Sequence, residues 1–142
     1  MEYRKFDGGY VLRLDPGDEV VDCLTRLARE EDIRLASVTG LGAARDITVG
    51  LFSVTEKKFY GKRCEGEYEV SALVGNITRK EGEPYLHLHI TFGNPDRGEA
   101  YAGHLTSCVI SATAEIFVQV WKGEVGRKFN GEIGLNLLEF GA

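Results

Sequence analysis

Between residues 85 and 92 polar and apolar side chains alternate without a break. Tyr85, His87, His89 and Thr91 fall on one face, Leu86, Leu88, Ile90 and Phe92 on the other. A period of two predicts a half-buried β-strand. The same period over 107–121 predicts the longest strand, with Ile110, Ala112, Ala114, Ile116, Val118 and Val120 on one face. Ser111, Thr113, Glu115, Phe117, Gln119 and Trp121 occupy its other face. Shorter strands are expected at 2–6 and 9–14, joined as a hairpin around Gly8-Gly9, and at 34–39 and 47–52. A charged strand at 56–60 reads as an edge. A longer one at 67–78, carrying Val70, Ala72, Val74 and Asn76 on one face, pairs with 85–92 across a polar turn at 79–84. Two short segments, 127–129 and 133–140, close the chain.

Only one stretch has a long helical period. Val20, Val21, Leu24, Leu27 and Ala28 recur on one side of a helix that runs to about Glu31. Asp15 is the expected cap, Pro16 suits the first helical position, and Asp18 and Glu19 suit the positive end of the dipole. Cys23 lies near the apolar stripe as packing. One amphipathic helix on many antiparallel strands predicts an α+β domain, its sheet strongly twisted.

Composition narrows the possibilities. The 142 residues suit one domain, 1–142, and 43% hydrophobic with 27% charged residues suits a globular protein. Seventeen basic against 22 acidic side chains give a net charge of −5, and the densest basic groups are only Lys57-Lys58 and Lys62-Arg63. That balance opposes nucleic-acid binding. There is no apolar run near 20 residues and no signal peptide, so the expected location is the cytoplasm, with no membrane partner. Cys23, Cys64 and Cys108 are odd in number and far apart, and read as reduced thiols. Gly40-Leu41-Gly42 follows a strand, as in a dinucleotide-binding turn. However, Arg45 stands where a third glycine belongs and a strand follows, so the glycines are expected to serve a positive-φ turn.

The candidate chemistry sits in the first strand described. His87 and His89 share a face about 6.6 Å apart along the strand. The turn Gly93-Asn94-Pro95-Asp96-Arg97-Gly98 can return the chain and bring in His104; these three are all the histidines of the protein. Three imidazoles around an open position make a metal site. Zinc is the first choice, though copper, nickel and iron(II) accept the same donors.

The order of motifs resembles the PPC domain (plants and prokaryotes conserved domain, also called domain of unknown function 296). The resemblance is carried by Ser37-Val38-Thr39-Gly40-Leu41-Gly42-Ala43, by Gly66 through Ile77, by Leu86-His87-Leu88-His89, by Gly93-Asn94-Pro95-Asp96, by Ala102-Gly103-His104-Leu105 and by the strand to Val120. It implies an α+β sheet with one main helix, assembled as a homotrimer. It also implies a metal set that maps onto His87, His89 and His104. Kinship with plant proteins implies DNA as a partner. Two departures oppose that: Gly66-Glu67-Tyr68-Glu69-Val70-Ser71 has an acid in place of the plant arginine, and no Arg-Gly-Arg-Pro hook occurs.

Three functions follow. The first is a trimeric metal-binding protein that holds a small-molecule ligand or carries a regulatory metal. The second is a metal-dependent hydrolase, whose bound water would have its pKa lowered to about 7. Its proton acceptor would be Glu99, Asp96 or Glu115, with Thr39, Asn76 and Tyr101 as possible orienting groups. The third is a DNA-associated protein. The first is the reading adopted here. The exposed aromatic pair Phe117 and Trp121 independently suggests a subunit contact.

Overall fold

The computed structural model describes residues 1–141. Its elements are β1 (Glu2–Phe6), β2 (Gly9–Leu14), α1 (Val20–Glu30), β3 (Ala36–Ser53), β4 (Lys58–Lys80), β5 (Glu83–Asn94), β6 (Glu99–Val120), β7 (Gly126–Asn130) and β8 (Leu135–Glu139). A single 3-10 turn, Pro95–Arg97, joins β5 to β6. The fold is α+β, mostly antiparallel sheet with one α-helix among the described residues. No helix among them is long and apolar enough to cross a membrane.

Three strands are far longer than the alternation suggests, at 18, 23 and 22 residues for β3, β4 and β6. The segments 34–39 and 47–52 fuse into β3, 56–60 and 67–78 into β4, and the His104 region with 107–121 into β6. Bulges hide this continuity. The register shifts at Gly40/Gly42 and Ala44/Asp46 between β3 and β4, and at Val70/Ala72 between β4 and β5. An extra residue bends a strand and exchanges its faces. Val70 is therefore buried while Val74 is half exposed, and Leu73 and Ile77 take the core positions instead.

The Gly40-Leu41-Gly42 turn is not formed. Neither glycine has a positive φ. They are glycines because β6 passes close by: a Cβ on Gly42 would lie 2.5 Å from the Thr113 carbonyl oxygen.

Strand β6 organises the sheet. It pairs with β3 from Ala36↔Val120 to Gly50↔His104, with β2 at its C-terminal half and with β5 at its N-terminal half. Strands β3, β4, β5 and β6 thereby close on themselves, and the β1–β2 hairpin extends from the far end of β6. Helix α1 packs on β5 and β6. Its stripe of Val20, Cys23, Leu24, Leu27 and Ala28 is buried against Leu88, Ile90, Phe92, Ile110 and Ile116. Each such side chain contributes about 1.5–3 kcal/mol by leaving water.

The helix begins later than its sequence suggests. Residues 15–18 form a turn, closed by the Asp18 N–H on the Asp15 carbonyl at 3.1 Å, with Gly17 at φ 93°. Glu19 is the cap. One of its carboxylate oxygens accepts from the Asp22 N–H at 2.7 Å, and the other from the Cys108 N–H of β6, also at 2.7 Å. All three thiols are buried and free. Burial, with Glu19 and Asp46 nearby, pushes Cys108 up to about 12.

Strands β7 and β8 form a separate hairpin. It is tied to β4 by the Arg79 N–H on the Val125 carbonyl at 3.1 Å and by the side chain of Arg127.

Candidate metal centre

The histidine-bearing strand is β5. Its inward side chains Leu88, Ile90 and Phe92 are each at most 2% exposed, so alternation turns His87 and His89 to the outer face. The return is local. The Asn94 side chain accepts from the Arg97 N–H at 3.1 Å, and Gly98 takes a left-handed conformation at φ 63°. The chain re-enters as β6 with His104 directly opposite His89. The structure thus brings all three histidines together within one chain.

One nitrogen from each ring lies within 4.8 Å of the others. Ring centroids are 5.2 Å apart for His87–His89, 5.3 Å for His87–His104 and 5.7 Å for His89–His104. Three nitrogens about 2.05 Å from one zinc ion in a tetrahedral arrangement stand about 3.3 Å from each other. Inward rotation of the rings by about an ångström closes the difference, so the donor set fits a divalent ion. Burial lowers the pKa of His87, with His104, His89 and Arg127 acting in the same direction. Burial also lowers His104, with His89 adding to it. Both rings are thus biased toward the neutral form that ligates metals.

The triad forms the floor of a cleft of about 700 Å³. The β7–β8 hairpin makes its far wall with Leu135, Leu137 and Leu138, and β3 and β4 supply Leu51, Phe52 and Phe59. Phe59 meets the His104 ring edge-on at 5.7 Å. Among the described residues, no aspartate or glutamate lines the cleft.

The other sequence-nominated residues lie elsewhere. Glu99 stands five residues before His104 on β6, about 16 Å along the strand, where it pairs with Arg97 at 3.1 Å. Asp96 is in the 3-10 turn, and Glu115 faces Arg13 and Leu41 on the opposite half of β6. Thr39 pairs with Val74 and Phe117. Tyr101 packs on Phe92 at 5.4 Å, with the Lys62 ammonium 4.2 Å from its ring. Asn76 is beside the triad, opposite His87 in the ladder, and its side chain holds an arginine.

That arginine, Arg127 of β7, has no signature in the sequence. Its Nε donates to Thr78 Oγ1 at 3.0 Å, Nη1 to the Asn136 carbonyl at 3.2 Å and Nη2 to Asn76 Oδ1 at 2.8 Å. The guanidinium also stacks 4.9 Å from the Tyr85 ring centroid. It is half-buried, and burial works against its charge.

A second hollow of about 550 Å³ opens between β1, β2 and β6 and includes Phe6 and Phe117 in its lining. No histidine or cysteine lines it.

The Plants and Prokaryotes Conserved (PCC) domain matches residues 1–122. A candidate DNA-binding protein from Bacteroides thetaiotaomicron superposes with a TM-score of 0.94 at 32% identity, covering 98% of this chain and 96% of that one. A metal-containing protein from Archaeoglobus fulgidus superposes at 0.86 with 28% identity, covering 99% and 100%. Among curated proteins, the bifunctional protein GlmU of Synechococcus sp. (strain JA-2-3B'a(2-13)) is 34% identical over 109 residues. That alignment takes in 75% of this chain and 16% of the GlmU chain, so this chain spans only a small part of the curated relatives it matches.

Proposed function

This chain belongs to the Plants and Prokaryotes Conserved domain family, and from that premise we propose that it binds one divalent ion, zinc by donor chemistry, through His87, His89 and His104. In this reading the ion holds or senses a small ligand in the cleft above it. The observation that carries the reading is the convergence of three imidazole nitrogens within 4.8 Å on one chain. The metal-containing relative from Archaeoglobus fulgidus supports it. Protein purified without a histidine tag, incubated with zinc and dialysed, should retain one ion per chain by elemental analysis. A metal-free result ends the proposal.

The hydrolase alternative has less support. A three-histidine zinc can supply an activated water, but hydrolysis also calls for a group to take its proton. Among the described residues the cleft lining contains no carboxylate, and Glu99 lies at the other end of the β5–β6 hairpin. Binding is favoured over turnover.

The likeness to a candidate DNA-binding protein carries over to this chain only as a weak association with DNA. The net charge is −5. Several surface cations are already paired: Arg63 with Asp46 at 2.7 Å, Arg34 with Asp32 at 3.0 Å and Arg29 with Glu83 at 3.2 Å. Fluorescence anisotropy with duplex DNA should find binding that is sequence-independent and vanishes between about 50 and 200 mM salt. Sequence-selective binding at physiological salt would overturn this.

Self-association is the remaining part of the proposal. Phe117 and Trp121 are 54% and 53% exposed, and Leu41 and Val74, on neighbouring strands, are 54% and 50% exposed. An outward apolar face of this kind is suited to a subunit contact, and the family resemblance suggests threefold symmetry. Sedimentation equilibrium at micromolar concentration should give a trimer for the wild type and a lower mass for Trp121→Glu. A monomeric wild type removes the idea, and a trimeric variant moves the contact to another face.

A further inference from the structure

We propose that the cleft above the triad is a receptor for a small organic anion, a monocarboxylate with an apolar body, and that Arg127 is its charge-recognising residue. The inference rests on the metal reading for one of its two contacts to the carboxylate, and on Arg127 alone for the other.

The first ground is the charge of the cleft. Its floor is three imidazoles and its wall carries one guanidinium, with no acidic residue in the lining. A divalent ion on three neutral histidines would bring the local formal charge, with Arg127, to plus three. A cation half removed from water and left without a counter-charge is unfavourable. An anion entering the cleft would remove that imbalance.

The second ground is the hydrogen bonding of Arg127. A guanidinium has five N–H donors. Three are used, and every acceptor is neutral: the Thr78 hydroxyl, the Asn136 carbonyl and the Asn76 amide oxygen. No carboxylate among the described residues lies within ion-pair distance of it. These bonds and the Tyr85 ring fix the fork in place while leaving one N–H on each Nη without an acceptor. A preorganised guanidinium of this kind matches a carboxylate.

The third ground is proximity. Asn76, which holds Nη2, is the ladder partner of His87 across β4 and β5. Asn76 thus links Arg127, which is bonded to its side chain, with His87, its neighbour in the ladder, and Arg127 lines the same cleft as the triad. A ligand's carboxylate placed between them meets both. Beyond it the walls are Leu51, Phe52, Phe59, Leu135, Leu137 and Leu138, which suit a hydrocarbon or aromatic body. A volume of about 700 Å³ lies in the range of small-molecule sites.

The test uses 3-phenylpropionate and its uncharged amide as probes in calorimetric titrations of the untagged, zinc-loaded protein. The acid should bind at least about tenfold more tightly than the amide, and Arg127→Gln should reduce acid affinity by a similar factor without reducing amide affinity. Zinc uptake by that variant should persist, because Arg127 is not among the ligating residues. Equal affinity for acid and amide, or no acid binding by a protein that holds zinc, overturns the proposal. Should Arg127→Gln fail to fold, the acid-to-amide ratio of the wild type decides alone. If the wild type takes up no zinc, the metal reading fails separately. The acid-to-amide ratio of the metal-free wild type then decides the role of Arg127: a tenfold preference supports it, and none ends it.

Discussion

His89→Ala is expected to lose stoichiometric zinc while leaving the metal-free protein as stable as the wild type. The two halves of this result separate ligation from structure. His89 is exposed, and its removal opens no hole in the core formed by Leu88, Ile90 and Phe92 behind it. Substituting even groups that only orient a metal ligand costs about 10–100-fold in affinity, so deleting one of three ligands should cost at least the upper figure. The same pair gives a thermal readout. Free zinc at about 100 times its dissociation constant stabilises the folded state by about 2.7 kcal/mol. For a domain of this size that raises the wild-type midpoint by about 5–10 °C. The variant should rise by no more than about 1–2 °C at the same zinc concentration. An equal rise in both proteins would place the ion elsewhere.

Glu19→Ala should be the most damaging substitution of a partly exposed residue. Its carboxylate serves two N–H groups, that of Asp22 in the first helical turn and that of Cys108 on β6. Cys108 is 1% exposed, so its N–H has no ready access to water. Loss of a helix cap costs about 0.5–2 kcal/mol, and a buried unpaired donor about 1–3 kcal/mol. The sum, about 1.5–5 kcal/mol, lowers the melting temperature by about 3–20 °C. Glu19→Gln keeps one acceptor oxygen and should recover part of the loss. Urea unfolding of the three proteins measures both effects, and a loss below about 0.5 kcal/mol for Glu19→Ala would show that water replaces the carboxylate at both sites.

Much of the triad was legible because its geometry is local. Period-two alternation fixed the common face of His87 and His89, and the Asn94-Pro95 turn with Gly98 announced the return that places His104 opposite them. The hairpin of β1 and β2 and the stripe of α1 were legible for the same reason. The long strands were not, since a bulge has no period of its own; at Val70/Ala72 it exchanged the faces of β4, and near Gly40 and Gly42 it passed for a turn. The cap was missed because Asp15-Pro16 is a good helix-opening sequence, while Glu19 is chosen by a strand 89 residues away. Arg127 and the leucines of β8 depend on where a separate hairpin docks, and nothing in their own sequence reports it.

The pairing of β6 also has a meaning for how the chain acquires its shape during synthesis. Residues 9–14 of β2 find their sheet partners at 114–119, and residues 36–50 of β3, paired with β4 on one edge, find those of the other edge at 104–120. The first hairpin and the helix can form early as local structures. The hairpin has no sheet to join until the ribosome has delivered residues about a hundred positions later, and the helix none until β5 and β6 follow. Closure of so large a loop precedes the contacts that stabilise it, which places this protein among slow-folding topologies. Through that interval the apolar stripe of α1 and the inner face of β3 stand uncovered. A nascent chain halted before β6 is thus a natural client for holding chaperones.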